Sequence, residues 1–518
     1  MKKRVISMMI ALCMVTTLFA GCSSKSSGTD SGKEAAGNGT VTPAGTEAEA
    51  TKNNFSDKDF TTLKITMFGE TTTQEAEAVS EALSKITKEK LNCNVDITFI
   101  GSGSYLTQLN LLLSSGEQFD LFNTFVLDTA TLANLGQILP IDDMLKNYGQ
   151  NTLKAISTDD WRCTQVGGQT YGVPGNKDKA YDLGFCMRKD ILEEVGGSID
   201  TIKDFSGLHD LLAKVKKAHP EMYPVVSGFG QIFGYLAVDN LGDSNGVLMD
   251  PYTSDSLKVE NLIASDYYKN LCEQMYNWAE EGLIMPDAST NTESGTSLVK
   301  SGKAFGFFSH EKPGFDSENS ATIGKEMVSW IYKEPITITA NASSFLWAIP
   351  STSVDPERAM ALLDLMYNDP EVANLCINGV EGTHYKVIDK EKGIIGYPDG
   401  KDSLNVGYSR FAWAWPNEQI SYIWNGDSET VWKDMDTFNK SAKVSPAKGF
   451  SFDNSKVINE ITACKNINDK YNKALMGGQL DPKDAIPKYL KELKDNGIDT
   501  IIAEKQKQLD EWVAANKK

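Results

Sequence analysis

Between Leu63 and Phe125 the spacing of apolar side chains switches repeatedly between strand-like and helix-like, and that alternation limits the possible folds more than any other feature. Leu63, Ile65 and Met67 share one face at a period of two, which reads as a strand. Gly69-Glu70-Thr71-Thr72-Thr73 turns into a helix carrying Ala76, Val79, Leu83 and Ile86. Val95, Ile97 and Phe99 then alternate as a second strand. Gly101 to Ser104 leads to a helix with Leu106, Leu109 and Leu113, closed by Gly116, and Asp120 to Phe125 reads as a third strand. The order βαβαβ dictates a parallel sheet with right-handed crossovers and helices on both faces. Ligands of such sheets bind beyond the carboxyl ends of the strands. Glu70 and Asn123 stand at that rim, either as ligand contacts or as turn and cap residues.

Farther along, Gly167-Gly168 marks a hairpin turn and Val173-Pro174 an extended exit from it. A helix is expected over 205–219 with Leu208, Leu211, Leu212 and Val215 on one side, and a short apolar strand over Ala304–Phe308. Asp355-Pro356-Glu357 and Asp369-Pro370-Glu371 each combine a capping aspartate, a proline suited to the first helical position and a glutamate favoured by the dipole. The last hundred residues become helical. One long helix carries Val457, Ile461, Cys464, Tyr471 and Leu475, and two more follow over 482–496 and 500–516.

The amino terminus supplies an address. Lys2, Lys3 and Arg4 precede an apolar run from Val5 to Phe19, too short to span a bilayer and laid out as a cleaved export signal. Leu18-Phe19-Ala20-Gly21-Cys22 resembles the bacterial lipobox, in which the cysteine is diacylated before cleavage, with Phe19 departing from the usual leucine. Residues 23–56 are rich in Ser, Gly, Thr, Ala and Glu with no aromatic before Phe55, the composition of a flexible leash.

Apolar content of 41% and charged content of 23% are those of a soluble globular protein. The formal net charge of −19 argues against nucleic acid, whose phosphates demand clustered Lys and Arg. Cys93, Cys163, Cys186, Cys272, Cys376 and Cys464 show no CxxC spacing and are expected to be mostly buried free thiols. No GxSxG, HExxH, Walker loop or GxGxxG occurs. Asp243-Ser244-Asn245-Gly246 is a fragment of a calcium-loop pattern without the later glutamate and reads as a turn. No metal, cofactor or catalytic group is expected.

Four stretches carry a family resemblance: Leu111 to Asp120, Gly168 to Pro174, Arg188 to Leu192, and Asn368 to Val372 taken with Gly379-Val380-Glu381-Gly382-Thr383-His384-Tyr385. In this order, behind a lipobox, they resemble the extracellular solute-binding lipoproteins of bacterial ABC importers. Within these the chain is similar to the large carbohydrate-type lipoproteins of Gram-positive bacteria, which have an extra carboxy-terminal module. The resemblance implies an α/β, two-lobed periplasmic-binding-protein-like (type II) fold with hinge crossovers and a mostly helical addition. The expected division is a signal peptide over 1–21 and a lipidated Cys22 with linker over 22–56. Lobe one is expected to comprise 57–174 plus 302–345, and lobe two 175–301 plus 346–409. A helical module over 410–518 is expected to pack on lobe two.

What the family implies is a monomeric receptor, anchored by lipid to the extracellular face of the cell membrane. It closes on a small solute, most plausibly an oligosaccharide, and delivers it to the transmembrane subunits of an ABC permease. Trp413 and Trp415 share one face of an extended segment and are read either as stacking platforms for a sugar or as core of the tail. His310 follows the Ala304–Phe308 strand, read either as a ligand contact or as a structural hydrogen bonder. Glu381, and Asn176 and Asp182 just past the first crossing, complete the candidate ligand-binding set. The rival classes are a surface glycoside hydrolase, which needs two carboxylates about 5–10 Å apart, and a ligand sensor without a transport role.

Overall fold

The computed structural model describes residues 55–516 apart from Ser102, Val126, Phe229, Gly230 and Leu404. The export signal, Cys22 and the leash up to residue 54 lie outside the described residues; Phe55, expected in the leash, is instead buried in the first core and stacks on Tyr148. Five sheets form among the described residues, and the two largest, of four and five strands, each have their own hydrophobic core.

The first sheet runs in the order Trp347–Ala348, Leu121–Asn123, Thr61–Phe68, Cys93–Ile100. The last three strands are parallel, with Ile65 opposite both Ile97 and Leu121, as the βαβαβ reading requires. Thr72 caps the helix Thr73–Leu91 by accepting from the Glu75 amide, and Asn92 ends it in the left-handed region at φ 52°. The third strand is shorter than the sequence suggests. Asn123 Oδ1 accepts from the Phe125 amide, and Phe125 turns left-handed at φ 54°, so pairing stops there.

The second sheet has the order Lys443–Val444, Met327–Thr337, Tyr181–Arg188, Ala304–Glu311, Tyr223–Val226. Its core is closed by the helices Phe205–Ala218 and Asp266–Glu280 and by the tail helices Ile458–Met476, Pro482–Asp495 and Ile498–Asn516. The hairpin at Gly167-Gly168 has φ 60° and 84°, the paired positive angles that match strand twist.

These pairings correct the expected division of the chain. Ala304–Glu311, assigned with 302–345 to lobe one, pairs antiparallel with Tyr181–Arg188 and parallel with Tyr223–Val226 in the second sheet. A Cβ on Gly306 would lie 2.5 Å from the Cys186 carbonyl oxygen, so this close strand approach requires glycine. The segment 346–409, assigned to lobe two, instead serves the first. Trp347–Ala348 pairs with Leu121–Asn123, and the helices Pro356–Asn368 and Pro370–Asn378 pack into the first core. The expected module over 410–518 also divides, because Ala414 and Trp415 belong to the first core whereas the helices from 458 onward belong to the second. The chain therefore crosses between the sheets over 174–181, 337–347 and 424–443.

All six cysteines of the described region are buried free thiols. Among the described residues no helix is long and apolar enough to cross a membrane.

Trp415 shows how the first core is closed. It is 1% exposed and stacks on Trp347 at 5.3 Å between ring centroids, while Trp347 Nε1 donates to the Ala414 carbonyl over 2.9 Å. Trp415→Ala should therefore lower stability by about 3–5 kcal/mol. Urea denaturation checks this, and an unchanged midpoint would remove Trp415 from the core.

Candidate functional site

The three crossings bring together segments that are far apart in sequence, and the site is built where they meet. Asn123, fully buried, is the staple. Its Nδ2 donates to the carbonyls of Ala414 over 3.0 Å and Phe345 over 3.3 Å, while Oδ1 holds the Phe125 amide. Phe345, at φ 62°, donates its amide to the Phe125 carbonyl over 2.8 Å. Two bulky aromatics in the left-handed region are costly, by about 1–3 kcal/mol each. Here they are held by each other and by Asn123.

That strained pair turns aromatic rings out at the carboxyl end of the first sheet. Phe68 lies beneath, with Phe125 at 4.8 Å, Trp413 at 5.5 Å and Phe411 at 5.6 Å. Phe345 meets Phe125 at 5.3 Å and Trp413 at 5.0 Å. Phe125, Phe345, Phe411 and Trp413 are each half-buried, so the cluster presents an apolar platform.

The second sheet contributes a smaller wall. His310 packs 4.3 Å from Tyr235, which is 42% exposed, and 6.5 Å from Tyr181. Burial pushes the His310 imidazole down to about 4, against the pull of Asp178, so it is neutral at neutral pH.

Lys177 and Asp178, in the first crossing, connect the two walls. Lys177 Nζ lies 5.8 Å from the Phe345 ring centroid and 2.7 Å from Asp178 Oδ1. Burial would raise the Asp178 carboxyl, but Lys177 and Lys312 hold it below its ordinary range. Lys312 Nζ pairs with Glu318 over 3.0 Å. Burial pushes the neighbouring Glu418 up to about 7, with Lys312 opposing the rise.

The sequence candidates divide by position. Trp413 and His310 sit on the two walls. Trp415 is core, and Asn123 positions the platform from beneath. Asn176 is a hinge stitch: its amide donates to the Pro416 carbonyl and its Nδ2 to Asn417 Oδ1, and its carbonyl accepts from the Glu418 amide. Glu70 is exposed at the rim, its carboxylate beside Gly101. Glu381 is exposed in the turn closed by its bridge to Tyr385.

That turn also joins two elements of the first lobe. The ring of His384 is buried, with Nδ1 accepting from the Val380 amide over 2.7 Å, which leaves Nε2–H to donate to Glu75 over 2.8 Å. A Cβ on Gly379 would fall 2.3 Å from that Nδ1. The motif ties the helix Thr73–Leu91 to the segment after Pro370–Asn378.

Asp182 faces away from the walls, opposite Tyr181 across the strand. It lines a separate pocket of about 480 Å³ with Glu311, Lys312, Asp316 and Ser329. Burial first, then Glu334, pushes its carboxyl up to about 7. Glu311 is raised well above its ordinary range, also chiefly by burial.

Sequence reasoning missed Phe125, Phe345, Lys177, Asp178 and Tyr235. Their role depends on positive φ angles and on chain crossings, neither of which leaves a periodic signal.

A family model described as bacterial extracellular solute-binding protein matches residues 69–373, and one described as a domain of unknown function (DUF3502) matches 446–514. The chain belongs to the bacterial extracellular solute-binding protein family. It is 27% identical over 444 residues to a carbohydrate ABC transporter substrate-binding protein of Streptococcus pneumoniae, covering 84% of this chain and 87% of that one. The crystal structure of an N-glycan transport solute-binding protein (NgtS) of the same species superposes with a TM-score of 0.79 at 23% identity, over 88% of this chain and all of the other. The structure of that protein with Man5GlcNAc gives 0.74 at 24%, over 88% and 99%. The substrate-binding protein FusA of S. pneumoniae with kestose gives 0.62 at 17%, over 88% and 100%. These structural likenesses confirm the two-lobed α/β fold.

The Asp182 carboxyl sets a pH dependence. In the folded protein it keeps its proton up to about pH 7, whereas an unfolded aspartate loses it near about pH 4. Its favourable contribution is complete below the unfolded value and is lost as pH rises through 7. Asp182→Asn should gain on the order of 2 kcal/mol over the parent at pH 8 and little at pH 4. Urea melts at both pH values decide it; parallel profiles would refute the assignment.

Proposed function

We propose that this chain captures an oligosaccharide between its two lobes and delivers it to an ABC permease. The observation that carries the reading is the platform of Phe125, Phe345, Phe411 and Trp413 beside the Lys177–Asp178 pair. Sugar rings offer C–H faces to aromatic side chains and hydroxyls to polar ones, and such a mixture is usual in small-molecule sites. The names of the relatives support the same class, since they bind an N-glycan fragment and kestose and are binding proteins rather than enzymes. Glu70 and Glu381, at the edges of the first lobe, are proposed to reach hydroxyls of the longer ligands. The protein works as a monomer, held at the extracellular face by a lipid on Cys22, with the residues from there to the buried Phe55 as its leash.

A thermal-shift screen of the purified chain against mannose-containing N-glycan fragments, fructo-oligosaccharides and peptides tests the cargo. A true ligand at a hundred times its dissociation constant should add about 2.7 kcal/mol. Shifts from peptides alone would refute the sugar reading. Trp413→Ala should weaken binding about tenfold or more while costing less stability than Trp415→Ala. Unchanged affinity would take Trp413 out of the site. Labelling cells with an alkyne fatty acid checks the anchor, because Cys22→Ser should abolish incorporation.

A further inference from the structure

The carboxy-terminal domain of unknown function is bound to both lobes, by different means. On the second lobe it shares the core through Cys464, Tyr489 and Leu509. It is also pinned there by Lys505, whose ammonium is fully buried. Lys505 Nζ donates to Asp243 Oδ1 and to the Gly246 carbonyl, each over 3.0 Å, and to the Asp243 carbonyl over 3.3 Å. The Asp243–Gly246 loop, with its calcium-like spacing, is thus filled by a cation from the chain itself. Ser445 adds a bond to Asp239 over 2.5 Å.

Toward the first lobe the link centres on a buried ion triad. Asp160, in the helix Thr158–Arg162, receives Lys448 on Oδ1 at 2.8 Å and Lys179 of the first crossing on Oδ2 at 3.1 Å. The adjacent Gly449 also packs against the helix Thr158–Arg162. At φ 98° a Cβ there would stand 3.3 Å from Arg162 Cβ and 3.4 Å from the Trp512 ring. Its amide donates to Thr339 Oγ1, in the second crossing, over 3.0 Å. The loop around Lys448 therefore touches the first lobe, two crossings and the terminal helix at once.

We propose that the module over 446–514 is a brace that fixes the orientation of the first lobe to the second through Lys448 and Asp160, acting outside the solute cleft. A buried carboxylate between two ammonium groups is a discrete contact. Moving the helix Thr158–Arg162 away would leave buried charges without partners, a large penalty. Lobe motion is then biased between docked and undocked arrangements rather than sliding continuously. The inference rests on the two-lobed fold and not on the identity of the solute.

The test uses solute-free protein. Spin labels on genetically encoded residues at Lys85, on the first lobe, and Lys214, on the second, report the distance distribution between lobes. Lys448→Met should raise the population outside the parent's main peak about fivefold or more. Lys456→Met, which breaks an exposed pair with Glu504 inside the module, should leave the distribution unchanged, which separates the brace from the loss of a surface charge. In the unmodified protein, hydrogen exchange should show Cys163 and Thr164 opening together with Lys448 and Phe450. A parent-like distribution in Lys448→Met, or independent opening of those two segments, would overturn the brace.

Discussion

The arrangement depends on a small bundle of backbone hydrogen bonds where distant segments cross. Val173 and Trp347 exchange amide and carbonyl bonds over 2.8 and 2.9 Å, Thr124 donates to Leu346 over 2.8 Å, and Asn176 donates to Pro416 over 2.8 Å. Asn123 at its centre satisfies three further backbone groups from its side chain. Buried peptide groups without partners are expensive, so these segments can only meet in one register. The two left-handed phenylalanines are a consequence of that register, and the aromatic platform is a consequence of the phenylalanines.

Charge follows the same geometry. Near the crossings Lys177 pairs with Asp178, Lys179 and Lys448 with Asp160, and Lys312 with Glu318. Away from the crossings the balance is reversed. Asp182, Glu311 and Asp316 share a pocket, and all three carboxyls are raised, first by burial. Burial disfavours the charged form of each, and for Asp182 and Glu311 neighbouring carboxylates add to the rise. The crossing region is thus charged and paired, whereas the pocket lined by Asp182, Glu311 and Asp316 gathers carboxyls raised by burial, with Lys312 at its edge.

Much of the first lobe was legible before its structure. The alternation from Leu63 to Phe125 read correctly as βαβαβ because each element's apolar face must meet the same core. The Asp-Pro pairs at 355 and 369 marked helix starts, since Asp355 and Asp369 accept from amides of the first turn. The site was less legible. Trp413 and Trp415 differ by two positions and looked equivalent, yet the 3-10 turn Ala412–Ala414 sends one ring to the platform and the other into the core. The turn that carries Glu381 also ends in His384, whose ring reaches back across the chain to Glu75, a contact no local pattern signals.

The sequence by itself determined the helices, the strands, the caps, the family and the expectation of two α/β lobes, because periodicity and capping act within a few residues. Only the tertiary structure decided which lobe owns each segment. A strand such as Ala304–Glu311 has eight residues of unpaired donors and acceptors, and nothing local says which sheet will satisfy them. It likewise decided that Lys505 would fill the Asp243 loop and that Lys448 would reach Asp160. Those contacts join residues more than 250 positions apart, and their partners are chosen by the register of the crossings.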